Sequence, residues 1–145
     1  MKIVDTIVKC FLSGNKVLIC GNGGSLAESS HFAAELVGKF KLERRALPAI
    51  ALTSPEIITA IGNDYTFDNV FSRQVEAYGE PGDVLICLST SGKSKNVLKA
   101  IKTAKSKGLE VIDFPRKGKD TPSVQEFQLK LIHKVCGEVE EACDW

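Results

Sequence analysis

The chain has 145 residues, 43% of them hydrophobic and 26% charged, which suits one compact folded domain and excludes a disordered chain. Its 19 basic and 18 acidic residues leave a formal net charge of +1, which excludes a nucleic-acid binder driven by bulk charge. Asp5 and Lys9 interrupt the first apolar stretch. That stretch is therefore neither a signal peptide nor a membrane span, no membrane partner is expected, and cytoplasm is the expected location.

In chain order, the N-terminal residues read as a short amphipathic helix with Ile3, Ile7 and Cys10 or Phe11 on one side. Residues 16–20 are a continuous apolar run ending at Gly21, as expected of a parallel strand covered on both faces. A helix should follow, with Ser25 as N-cap and Glu28 closing a capping box, and should stop at Gly38. Residues 49–52 form a weaker strand, and segments 56–62 and 67–77 are expected to be helical. Residues 83–88 are a second strong strand, ending at Ser89. The helix after it carries Val97, Leu98, Ile101 and Ala104 on its apolar side and ends at Gly108. Residues 109–113 are a further strand. Thr121-Pro122 opens a last helix, with Pro at the first helical position, whose expected apolar stripe is Val124, Phe127, Leu131 and Val135. The pattern is α/β with a mainly parallel sheet, and ligands in such folds sit at the carboxyl ends of strands. That rule points at residues 21–25 and 89–94.

The first of these loops is Gly21-Asn22-Gly23-Gly24-Ser25, where glycines let backbone approach a ligand and the helix start offers free N–H groups. It reads equally as a tight strand-to-helix turn, and Leu26 excludes the dinucleotide fingerprint. The second is Ser89-Thr90-Ser91-Gly92-Lys93-Ser94, whose hydroxyls and helix N–H groups can ring a phosphate. Cys87 stands where a P-loop needs glycine. His31 and Glu35 share one helix face at i, i+4, and His133 follows Gln125 by eight residues on the last helix. Two histidines and a carboxylate suit either Zn²⁺, with Gln125 as an oxygen donor, or acid–base work. Asn63-Asp64 reads first as a turn pair. The five cysteines form no C-x-x-C pair and read as buried reduced thiols.

Taken together, Gly21–Ser25, His31, Glu35, Asn63-Asp64, Ser89-Thr90-Ser91-Gly92 with Ser94, Gln125 and His133 resemble the phosphoheptose isomerases of the sugar isomerase (SIS) fold, in the same order and across nearly the whole chain. The resemblance implies a single SIS domain over residues 1–145, a three-layer α/β/α sandwich, and a homotetramer with sites between subunits. It implies conversion of D-sedoheptulose 7-phosphate to D-glycero-D-manno-heptose 7-phosphate through an enediol(ate), for the heptose of bacterial lipopolysaccharide. By position, Ser89, Thr90, Ser91 and Ser94 would hold the phosphate. Asn22, Gly23, Gly24 and Ser25, with Asn63, Asp64 and Gln125, would meet the sugar. Glu35 and His133 would move the protons. His31, Glu35, Gln125 and His133 would hold one Zn²⁺ per subunit.

Against that family, this chain is shortened at the N-terminus and between residues 113 and 120, where a glycine-rich stretch and a further strand are typical. A four-stranded sheet is therefore expected, and the placement of Gln125 and His133 depends on the short connection. Two rivals stand beside the heptose phosphate isomerase. One is a non-catalytic SIS module that binds a sugar phosphate or a partner protein, such as an adaptor for a replication initiator. The other is an isomerase of another phosphosugar, such as a hexose phosphate.

Overall fold

The computed structural model describes residues 1–143. Six helices, α1 (Lys2–Leu12), α2 (Gly24–Val37), α3 (Pro55–Asp64), α4 (Ser72–Tyr78), α5 (Lys95–Ser106) and α6 (Thr121–Ala142), surround four strands, β1 (Val17–Gly21), β2 (Ala49–Ala51), β3 (Val84–Leu88) and β4 (Glu110–Asp113). A 3-10 turn, Phe67–Asn69, separates α3 from α4. All strand pairs are parallel, in the order β2-β1-β3-β4. The expected three-layer sandwich with a four-stranded sheet is what forms. No helix among the described residues is long and apolar enough to cross a membrane.

The two central strands explain the layering. β1 and β3 are buried at every position, and their register sets Val17 beside Val84 and Ile19 beside Ile86. Successive side chains point to opposite faces. Val17, Ile19 and Ile86 therefore join one core with Ile7 and Phe11 of α1, Phe32 and Leu36 of α2, and Ile132 and Val135 of α6. Leu18, Cys20 and Leu85 join another, with Ile61 of α3, Val75 of α4, and Val97 and Ala100 of α5. At the amino ends of the strands the buried Asp83 carboxylate bonds Lys16 Nζ at 2.7 Å, Lys16 N at 3.0 Å and Asn15 Nδ2 at 2.9 Å. Burial alone would raise its pKa, but these bonds win and hold it below the usual range.

The chain leaves β1 toward one face, through α2, and leaves β3 toward the other, through α5. The gap between these neighbouring strands is thus the topological switch point of the sheet, where α/β folds place ligands.

Three local expectations need correction. Ser25 does not cap α2: Gly23 does, at φ +56°, and no side-chain cap bond forms. The tight glycine turn winds the helix two residues sooner, which buries Ser25 against Gly21 and leaves Glu28 outside any capping box. At α6 the N-cap is Asp120, in a capping box with Ser123, and Pro122 stands second in the helix. The buried stripe of α6 runs through Val124, Gln128, Ile132, Val135, Cys136 and Val139, with Phe127 and Leu131 only half-buried at its margin. Gln128 lies inward because its amide Nε2 finds two carbonyl acceptors there.

Candidate active site

The loop from β1 to α2 is built on close packing. A side chain at Gly21 would meet the Leu88 carbonyl oxygen at 2.6 Å, and one at Gly24 would meet Gln125 Nε2 at 2.4 Å. Gln125 therefore lies directly on the backbone at the start of α2. Asn22 crosses to the neighbouring loop: its Nδ2 donates to Asn96 Oδ1 at 2.9 Å, and Asn96 Nδ2 returns a bond to Asn22 Oδ1 at 2.8 Å. Asn96 is buried in the first turn of α5. The two loops are thus fixed to each other by a reciprocal amide pair. Sequence reading missed Asn96, and its polar side chain in a helical first turn carries no distinguishing signal.

In the second loop Gly92 takes φ +69°, which favours glycine. Ser89 Oγ accepts the Gly92 N–H at 3.0 Å, and Ser91 Oγ accepts the Lys93 N–H at 3.0 Å. Ser94 is the N-cap of α5, yet its hydroxyl makes no cap bond. Backbone N–H groups, hydroxyls and the positive end of α5 therefore converge beyond β3, a setting that suits a phosphate dianion.

α2 and α6 run side by side in the same direction: Gln125 meets Gly24, and further along His133 meets His31. The His31 and His133 Nε2 atoms stand 3.3 Å apart, and His31 Nε2 lies 4.0 Å from Glu35 Oε2. The donor atoms of His31, Glu35 and His133 all lie within 4.8 Å of one another. Donors about 2.0–2.1 Å from a tetrahedral metal stand roughly 3.3–3.4 Å apart. The histidine pair fits that spacing, and with Glu35 close by the cluster can hold a divalent cation. The shortened connection before α6 leaves His133 in reach.

Three residues that sequence reading missed hold this cluster. Phe40 stacks on His133, with centroids 5.5 Å apart and planes at 24°. Its segment is tied down by Glu140, which accepts the N–H groups of Phe40, Lys41 and Leu42 at 2.8, 3.0 and 3.1 Å. Arg44 Nη2 lies 3.1 Å from Glu140 Oε1, and its nitrogens also donate to the carbonyls of Glu35, Leu36 and Gly38. Burial opposes ionisation of Glu140, but three backbone N–H groups and Arg44 hold its carboxyl below the usual range.

Between the loop and the cluster lie two groups without partners among the described residues, Glu28 Oε2 on α2 and Gln128 Oε1 on α6. Burial pushes the Glu28 carboxyl up to about 7. Gln128 Nε2 donates to the Ser89 carbonyl at 3.3 Å and to the Pro115 carbonyl at 3.2 Å. Asn63 and Asp64 end α3, exposed and hydrogen-bonded to each other at 3.0 Å. Ser25 is 3% exposed, packed beneath the first loop.

Comparison with known proteins agrees with the fold. The SIS domain family model matches residues 1–114. The phosphoheptose isomerase of a Synechocystis strain is 53% identical over 155 aligned residues, covering 95% of this chain and 80% of that protein. The phosphoheptose isomerase of Clostridium acetobutylicum is 48% identical, covering 96% of this chain and 80% of its own length. The solved phosphoheptose isomerase of Neisseria gonorrhoeae superposes with a TM-score of 0.89 at 37% identity, over 97% of this chain and 84% of that one. That of Francisella tularensis superposes with a TM-score of 0.92 at 32% identity, with the same coverage. The chain belongs to the SIS-domain family. Within that family it belongs to the phosphoheptose isomerases.

Proposed function

We propose that the chain interconverts D-sedoheptulose 7-phosphate and D-glycero-D-manno-heptose 7-phosphate, with Glu35 and His133 as its proton-transfer pair. The observation that carries this reading is the meeting of His133 with His31 and Glu35, side by side, across the α2–α6 contact. A module that only bound a phosphate or a partner protein would need none of the three.

Aldose–ketose isomerisation moves one proton between neighbouring carbons. The Glu35 carboxylate takes the proton from C1 of the ketose, and the electron pair forms the C1–C2 double bond as the C2 oxygen gains charge. His133 gives that oxygen a proton. The C1 hydroxyl then surrenders its proton to His133, and Glu35 returns the first proton to C2, leaving an aldehyde at C1. Ser89, Thr90, Ser91 and Ser94 hold the phosphate away from the reacting carbons, so its binding energy serves orientation. Asn22, Gly23 and Gly24 line the sugar. The reading extends to Asn63 and Asp64 as sugar contacts and to Ser25 as a support of the loop.

Zn²⁺ would be held by His31, Glu35 and His133, with Gln125 as a further oxygen donor; when bound it polarises sugar oxygens and steadies the charge that develops on them. The proposed setting is a cytoplasmic homotetramer that supplies heptose for bacterial surface polysaccharide. Kinship with the isomerases supports this setting. The test is aldose formation from sedoheptulose 7-phosphate by the purified protein, with and without added Zn²⁺, beside Glu35→Gln and His133→Ala. Each variant should lose about 10²–10⁴-fold in kcat. No turnover by the unmodified protein under either condition would sink the reading.

A further inference from the structure

The short connection between β4 and α6 does more than bring His133 into place. Gln128 Nε2 bonds both the Ser89 carbonyl, at the start of the second loop, and the Pro115 carbonyl. One buried amide thus pins the connection beside that loop. The next residue is Arg116. Its Nη1 donates to Asp113 Oδ1 at 2.8 Å and its Nη2 to Asp113 Oδ2 at 3.0 Å. The fork so held lies on Gly92: a Cβ built there would stand 2.9 Å from Arg116 Cζ and Nη2 and 3.3 Å from Nε. Gly92, already at φ +69°, leaves the space that the guanidinium fills.

We propose that Arg116 is a phosphate-binding residue of the substrate site, aimed at the second loop by Asp113. The proposal rests on the reading of residues 89–94 as the phosphate loop. A guanidinium carries five N–H donors, and Asp113 engages two of them. The remaining N–H groups match the oxygens of a phosphate dianion, to which arginine binds in a planar fork. The loop's hydroxyls and backbone N–H groups are neutral donors, and its Lys93 and the neighbouring Lys95 are exposed. Arg116, with a side chain 31% exposed, pays less entropy on binding because Asp113 already orders it. Asp113 also holds the Arg116 pKa up, so the charge is permanent.

The competing account is a surface ion pair that merely folds the turn. Binding of inorganic phosphate, followed by titration calorimetry, separates the two, beside the KM for sedoheptulose 7-phosphate. Arg116→Met should weaken phosphate binding by about tenfold or more and raise KM alike, with little change in melting temperature. Arg116→Lys should recover part of the loss, and Asp113→Asn should give a smaller rise in KM. A purely structural role would instead lower the melting temperature and kcat while leaving the phosphate Kd unchanged, and that result overturns the proposal. So does failure of the unmodified protein to bind phosphate. Turnover with a KM indifferent to Arg116 defeats the proposal and leaves the isomerase reading intact. Phosphate binding that depends on Arg116, without any turnover, does the reverse.

Discussion

Glu140→Gln removes one charge from a carboxylate that serves three backbone N–H groups and Arg44, in a side chain only 1% exposed. Glutamine keeps one acceptor oxygen. Its amide nitrogen then faces at least one N–H donor, and Arg44 loses its counter-charge. Breaking a buried ion pair costs roughly 3–5 kcal/mol, and the surviving carbonyl returns part of that. A loss of about 3 kcal/mol is expected, or about 9 °C in melting temperature at about 3 °C per kcal/mol for a domain of this size. The folded pKa of Glu140 lies below its ordinary value of 4.5. Its stabilisation is therefore fully present above pH 4.5 and fades as pH falls through the folded value. The gap between the two proteins should be largest near pH 7 and shrink in acid. Thermal and urea melts at pH 7 and near pH 3.5 measure it. Because Glu140 also anchors the segment that carries Phe40 onto His133, kcat should fall too. A melting temperature within 2 °C of the unmodified protein at pH 7, or a gap that persists undiminished in acid, would refute the reasoning.

Asn96→Ala deletes both amide bonds to Asn22. Stability should fall by about 1 kcal/mol and KM should rise severalfold, because the two loops lose their fixed spacing; an unchanged KM would count against that coupling. Glu28, raised from 4.5 to about 7, is a carboxyl that the folded state keeps protonated longer than the unfolded chain does. It favours folding below pH 4.5, and that contribution is lost as pH rises toward 7. Glu28→Gln should therefore be more stable than the unmodified protein at pH 8 and similar to it at pH 4.5, as urea midpoints would show. All five cysteines are buried. Burial pushes the Cys10 and Cys143 thiols up to about 11 and the Cys136 thiol up to about 12. A thiol reagent should leave the native protein unlabelled over minutes and modify five sites after unfolding; rapid native labelling would contradict the packing.

Much of the fold was legible because its signals are local. Uninterrupted apolar runs marked β1 and β3, and Gly38 and Gly108 marked helix ends. The identities of His31, Glu35, Gln125 and His133 were legible too. The meeting of His31, Glu35 and His133 could be expected only from the family resemblance, since it depends on how α2 and α6 dock across about a hundred residues of sequence. The Ser25–Glu28 capping pattern misled because Gly23 adopts a backbone that starts the helix early. Gln128 escaped notice because hydrophobicity alone cannot reveal a buried amide matched to two carbonyls. Glu140 and Arg44 look like ordinary surface charges in the sequence, yet they form a buried knot between the end of α2 and the last turns of α6.

The sheet ends at β4, which pairs with β3 on one side only. A free strand edge is a template on which another chain can add, and it leads toward aggregation. This one is four residues long, and both its ends, Glu110 and Asp113, are exposed acids. Two copies brought edge to edge would oppose acids at both ends of that short contact, and Arg116 already occupies Asp113. The shortened chain thus carries its own protection against polymerising through the edge. Removing the acids, as in Glu110→Val with Asp113→Val, would turn a tolerated boundary into an adhesive one.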